Sequence, residues 1–191
     1  MQSIAVFCGS SSGRNPIYKE LAIDLGRTFA RRGITLVYGA GNIGLMGAMA
    51  DAVLENGGKV VGAIPHFIKE KEVCHTGLSE LYTVDSMHQR KQIMAEQADG
   101  FITLPGGFGT LDELFEILTW KQLQLHAKPI GLLNWNGYYD HLIAHIGRMI
   151  EEGFIKPHHR DLLIVADNLE ALLDAMLQAP RHFDTKWIER T

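Results

Sequence analysis

Apolar residues fall in short continuous runs, separated by longer stretches in which they recur every three or four positions, and the two patterns alternate along the chain. The runs at 4–8, 35–38, 59–64, 81–84, 101–104, 129–133 and 162–165 read as strands. They lack polar alternation, as strands buried on both faces do. Between the first two, Ile17, Leu21, Leu25 and Phe29 mark a helix over 16–32. Gly33 ends it, because glycine enters the left-handed cap conformation without strain. The same spacing predicts helices over 45–56, 87–97, 111–125, 138–152 and 169–177, with Asp85 or Ser86 capping the helix at 87 and a cap near Asp167 for the last. Residues 65–79 break the pattern: Lys69, Glu70, Lys71, Glu72, Cys74 and His75 follow no period, which predicts an exposed excursion. Strands alternating with helices make this an α/β chain. It is expected to form a single Rossmann-like domain over residues 1–180, a parallel sheet with helices on both faces, followed by a polar tail at 181–191.

Two of the strand-to-helix turns are rich in glycine. Phe101 to Leu104 leads into Pro105-Gly106-Gly107-Phe108-Gly109-Thr110, and Leu111-Asp112-Glu113 leaves with helical spacing. Little side-chain bulk at the start of a helix lets backbone N–H groups approach a ligand, and the helix dipole favours an anion such as phosphate. Glu113 is expected in the first turn of that helix, a carboxylate beside a phosphate cradle. The second turn, Gly39-Ala40-Gly41-Asn42-Ile43-Gly44, fits the dinucleotide fingerprint G-x-G-x-x-G. That fingerprint also requires an acid at the end of the next strand to hold the ribose hydroxyl. Here that strand ends at Pro65-His66, so close helix–strand packing together with a second ligand-facing turn is the better reading. Gly9-Ser10-Ser11-Ser12-Gly13, after the first strand, adds small hydroxyl residues to the same sheet edge. Arg90 and Lys91 fall near the start of a helix, where cations are electrostatically disfavoured, and an anionic ligand would account for them.

The composition narrows the chemistry. Over 191 residues, 46% are hydrophobic and 21% charged, and the net charge of −4 gives no footprint for nucleic acid. No apolar run approaches a membrane span, and Cys8 and Cys74 form no CxxC pair, which fits a cytosolic protein with reduced thiols. His141 and His145 share a helix face, but no third ligand completes a metal site. No GxxxxGK[ST] phosphate loop and no HExxH helix is present. The wide apolar surface of the helix at 111–125 predicts burial on two sides, hence a homodimer.

Pro105-Gly106-Gly107-Phe108-Gly109-Thr110-Leu111-Asp112-Glu113 resembles the PGGxGTxxE signature of the Lonely Guy (LOG) family. The resemblance extends through Cys8-Gly9-Ser10-Ser11, Tyr38-Gly39-Ala40-Gly41, Gly44-Leu45-Met46-Gly47, Met87-His88-Gln89-Arg90-Lys91, Thr119-Trp120 and Lys128-Pro129. It implies a phosphoribohydrolase that needs no cofactor. Such an enzyme cleaves the N-glycosidic bond of an adenosine 5′-monophosphate, often N6-modified as in cytokinin nucleotides, to free base and ribose 5-phosphate. Family members have also been labelled lysine decarboxylases, but no lysine here has the setting that a pyridoxal-phosphate enzyme needs. Carried over by position, the catalytic pair is Arg90 and Glu113. The binding positions are Ser10, Met87, Arg90, Lys91, Gly106, Gly107, Phe108, Gly109, Thr110 and Asp112, with Glu72 on the base side when counted back from Met87. Ala40 stands where the family has a glycine. The competing expectation is a non-catalytic nucleotide-binding or carrier module of the same fold.

Overall fold

The computed structural model describes residues 1–69 and 74–180. Glu72 and the polar tail at 181–191 lie outside the described residues. Seven strands form one sheet: β1 (Ser3–Phe7), β2 (Thr35–Tyr38), β3 (Val60–Pro65), β4 (Glu80–Val84), β5 (Phe101–Thr103), β6 (Ile130–Leu133) and β7 (Ile164–Ala166). Their spatial order is β4-β3-β2-β1-β5-β6-β7, and every pairing is parallel. Parallel strands need crossovers, and the helices supply them: α1 (Ile17–Arg32), α2 (Gly44–Glu55), the single turn α3 (His66–Lys69), α4 (Met87–Gln97), α5 (Phe108–Gln122), α6 (Asp140–Glu151) and α7 (Leu169–Gln178).

The strands are continuously apolar because the sheet has a core on each side. Along β1, Ile4 and Val6 enter one cluster with Leu25 and Phe29 of α1, Met49 of α2 and Leu172 of α7. Ala5 and Phe7 enter the other, with Met94 of α4 and Leu114 and Ile117 of α5. A period of two along the strand thus places alternate residues in different cores, and a polar residue at either parity would be stranded. Phe7 stacks on Phe101 across the β1–β5 pair, with ring centroids 6.0 Å apart.

The predicted caps are close to those found. Gly33 follows α1 at φ 66°. Ser86 Oγ accepts from the Gln89 N–H at the head of α4, while Asn168, one residue past the predicted Asp167, caps α7 by accepting from Ala171 N–H. The larger difference is at α5. It begins at Phe108 rather than Leu111, with Gly107 as an extended N-cap, so Glu113 stands in the second turn, not the first. Glycine is a poor helix former, and Phe108-Gly109-Thr110 therefore reads as loop although its backbone is already helical.

The sheet order decides where a ligand can sit. β2 lies to one side of β1 and β5 to the other, so the crossovers leave in opposite directions and a crevice opens beyond the carboxyl ends of these two strands. The loop at 8–16 and the turn at 104–107 both empty into it. Among the described residues, no helix is long and apolar enough to cross a membrane.

Candidate active site

A cavity of about 250 Å3 occupies this crevice, walled by Cys8, Gly9 and Ser10 after β1, by Gly39 after β2, and by Gly107 to Thr110, Asp112 and Glu113 from α5. Met87 and Arg90 from α4, with Met46 and Ile68, complete it. A larger groove of about 630 Å3 lies between α5, α6 and the residues before β7, but it is mostly apolar and lacks any acid–base pair of comparable burial.

At the floor of the smaller cavity Arg90 Nη2 lies 3.7 Å from Glu113 Oε1, with 13% and 11% of the two side chains exposed. That separation is an ion pair without a formed hydrogen bond, so the carboxylate keeps capacity for another partner. Burial pushes the Glu113 carboxyl up to about 7, with Arg90 opposing the shift. A group poised there exchanges protons readily near neutrality. The same burial, followed by the charge of Glu113, raises the Cys8 thiol well above its ordinary range and leaves it neutral.

Arg90 is seated by the second glycine turn. Its Nε donates to Ala63 O at 3.2 Å, and its guanidinium packs so closely on Gly39 that a Cβ there would overlap Nη2. Gly44, at φ +65°, lies against the Ser10 carbonyl, where a Cβ would also overlap, and Leu45 N–H donates to Gly9 O at 3.1 Å. The first and last glycines of the G-x-G-x-x-G segment are therefore tied to Arg90 and to the β1 loop, both of which form the cavity, while Gly41 packs against Met46. Ala40, in place of the family's glycine, adopts φ 60°, a conformation that costs an L-residue about 1–2 kcal/mol. It accepts from the His75 N–H at 3.1 Å.

Of the positions carried over from the family, Ser10, Met87, Arg90, Gly107, Phe108, Gly109, Thr110, Asp112 and Glu113 all border the cavity. The N–H groups of Phe108, Gly109 and Thr110 form the first turn of α5, where helical geometry offers them no upstream carbonyl. Gly106 stands just behind them. Lys91 does not turn toward the cavity: its Nζ is 3.0 Å from both Asp112 Oδ2 and Glu116 Oε2. Burial lowers its pKa, but the hydrogen bonds to Glu116 and Asp112 outweigh this and the net shift is upward. Lys91 thus ties α4 to α5 and offsets the acids beside Glu113.

Sequence patterns gave no sign of Gly39 as a seat for Arg90, and they placed His75 in a solvated excursion. His75 is buried, its Nε2 2.9 Å from Asp51 Oδ1 and its Nδ1 accepting from the Gly77 N–H. An isolated antiparallel bridge joins Gly41 to Cys74. The end of the excursion is therefore pinned onto the Gly39–Gly41 turn. Among the described residues no three His, Cys, Asp or Glu converge as a metal site requires.

Comparisons with known proteins place the chain in a family. Residues 46–176 match the family model described as "Possible lysine decarboxylase". The chain is 48% identical over 181 residues to cytokinin riboside 5′-monophosphate phosphoribohydrolase LOG7 of Arabidopsis thaliana, covering 95% of this chain and 83% of that protein. It is 47% identical over 180 residues to LOG1 of the same plant, covering 94% and 84%. A solved structure of the molybdenum cofactor carrier protein of Chlamydomonas reinhardtii superposes with a TM-score of 0.69 at 20% identity, covering 92% of this chain and 96% of that one. At that identity the last likeness concerns the fold alone.

Proposed function

Because this chain belongs to the LOG family, we propose that it hydrolyses the N-glycosidic bond of adenosine 5′-monophosphates, N6-modified ones included, releasing the base and ribose 5-phosphate. The observation that carries the reading is the Arg90–Glu113 pair, buried at the sheet's switch point beside the open first turn of α5. The lysine-decarboxylase description has no such support, since no lysine among the described residues lines the cavity.

In this reading the N–H groups of Gly107 to Thr110 and the α5 dipole hold the 5′-phosphate, which fixes the ribose. The bond from C1′ to the base nitrogen then breaks, its electron pair leaving with the base, and positive charge develops on the sugar. Glu113 stabilises that charge as a carboxylate and accepts the proton of the water that adds to C1′. Arg90 opposes the effect of burial on Glu113 and donates a hydrogen bond toward the departing base, whose nitrogen takes its proton from solvent. Lys91 acts from behind, through Asp112 and Glu116. The apolar walls contributed by Met46, Ile68 and Met87 suit a purine. Incubation with AMP and with isopentenyladenosine monophosphate, followed by chromatography, tests the assignment. Free base is expected from at least one. If no nucleoside monophosphate yields base, a non-catalytic binding module of the same fold is left.

We further infer that residues 1–180 form the functional domain, that the protein works in the cytosol, and that it pairs as a homodimer. Both cysteines are unpaired, which fits a reducing compartment. Dimerisation is supported by Phe108, 94% exposed at the cavity rim, and by Leu123 and Leu125 left exposed beyond the end of α5. Light scattering at micromolar concentration should give the mass of two chains; a single-chain mass would overturn the dimer.

A further inference from the structure

Three consecutive carbonyls in the turn before α5 are each taken by a donor from another part of the chain. Leu104 O accepts from the Tyr139 hydroxyl at 2.7 Å, Pro105 O from the Gly9 N–H at 3.1 Å, and Gly106 O from the Tyr138 hydroxyl at 2.7 Å. None of the proposed chemistry uses these tyrosines. Yet in a planar trans peptide the carbonyl of one residue and the N–H of the next point in opposite directions, and the described residues contain no cis peptide. Holding a carbonyl therefore aims the following amide.

We propose that Tyr138 is a positioning residue for the phosphate cradle: by holding the Gly106 carbonyl away from the cavity, it presents the Gly107 N–H to the substrate's phosphate. This inference rests on the phosphate assignment made above. Tyr139 provides an internal contrast, because the residue after Leu104 is Pro105, which has no N–H to aim. Tyr139 is buried and holds the turn in place; Tyr138 is exposed enough for its hydroxyl to be removed without opening a core.

The anchor of Tyr138 is itself firm. Its ring meets Tyr139 edge-on at 4.8 Å and Tyr18 of α1 at 5.6 Å. The turn that carries it passes through positive φ at Asn136 and Gly137. Asn134 fixes that turn by accepting from the Tyr139 N–H at 2.7 Å and donating to Asp140 at 2.8 Å. A phenol held by two rings and a braced turn has little freedom to leave Gly106.

The test compares Tyr138→Phe with Tyr139→Phe. A single orienting hydrogen bond is worth about 0.5–1.5 kcal/mol, so Tyr138→Phe should raise KM for a nucleoside monophosphate about three- to tenfold while kcat changes less. The Kd for inorganic phosphate, read by calorimetry, should rise by the same factor. Tyr139→Phe should lower the melting temperature yet leave the phosphate Kd unchanged. In the wild-type chain, amide exchange at Gly107 should slow when phosphate is added, a readout that needs no variant to fold. Unchanged phosphate affinity in Tyr138→Phe, equal losses in both variants, or no slowing at Gly107 would overturn the assignment. A wild-type protein that binds phosphate through Gly107 but hydrolyses no nucleotide would leave this inference standing and remove the activity instead.

Discussion

Glu113→Gln is expected to reduce release of free base by about three orders of magnitude, the scale lost when one preorganised electrostatic or proton-transfer group is removed, while substrate binding survives. The same substitution should make the protein more stable at alkaline pH. Folded Glu113 titrates at about 7 against an ordinary 4.5, because burial disfavours its charged form more than Arg90 favours it. The folded state therefore holds this proton more tightly than the unfolded chain does. Its contribution to stability is complete below about pH 4.5 and is lost as pH rises through about 7, a difference on the order of 3 kcal/mol. The variant carries no such charge, so it should melt above the wild type at pH 8, with the gap closing toward pH 4.5. The wild-type kcat/KM should rise with pH through about 7, reporting ionisation in the free enzyme. Undiminished turnover would remove Glu113 from the mechanism; a lower melting point at pH 8 would contradict its buried charge.

Gly39→Ala is expected to disable the site without unfolding the chain. A Cβ at residue 39 overlaps Arg90 Nη2 and approaches Cζ to 2.8 Å, so the guanidinium must leave its seat and with it the neighbourhood of Glu113. The backbone of Gly39 lies outside the left-handed region, and alanine can adopt it. Misplacing a catalytic group by about an ångström costs on the order of a hundredfold in rate. We therefore expect kcat/KM to fall at least about a hundredfold, with the fold intact by circular dichroism. Because Arg90 lowers the Glu113 pKa, whatever activity remains should need a higher pH. Activity within twofold of wild type would show that Arg90 is not seated on Gly39.

Periodicity alone was enough to read the architecture, because a doubly covered parallel sheet leaves a direct trace: Ile4 to Phe7 stays apolar at both parities since each parity meets its own core. The Pro105 to Glu113 turn was legible as a strand-to-helix junction because it separates an apolar run from a helical spacing, although α5 starts three residues earlier than that spacing predicts. What the sequence did not reveal depends on contacts between distant residues. Gly39 and Arg90 are 51 positions apart, and nothing local links them. The burial of His75 depends on Asp51 of α2, the aim of the Gly107 amide on Tyr138 beyond β6. Lys91 looked like a ligand for an anion because its neighbour Arg90 did. Helical geometry swings it toward Asp112 and Glu116 instead. The dinucleotide fingerprint lacks its acid, and the packing behind its first and last glycines became visible only with Arg90 and Ser10 in place.

The most direct test of the account is the stoichiometry of the reaction itself. Purified protein incubated with isopentenyladenosine 5′-monophosphate should release isopentenyladenine and ribose 5-phosphate in equal amounts, with Glu113→Gln run alongside releasing neither at a measurable rate. Equal release by the variant would contradict the role of Glu113, and no release by the wild type, from this nucleotide or from AMP, would contradict the reading of the site as a phosphoribohydrolase.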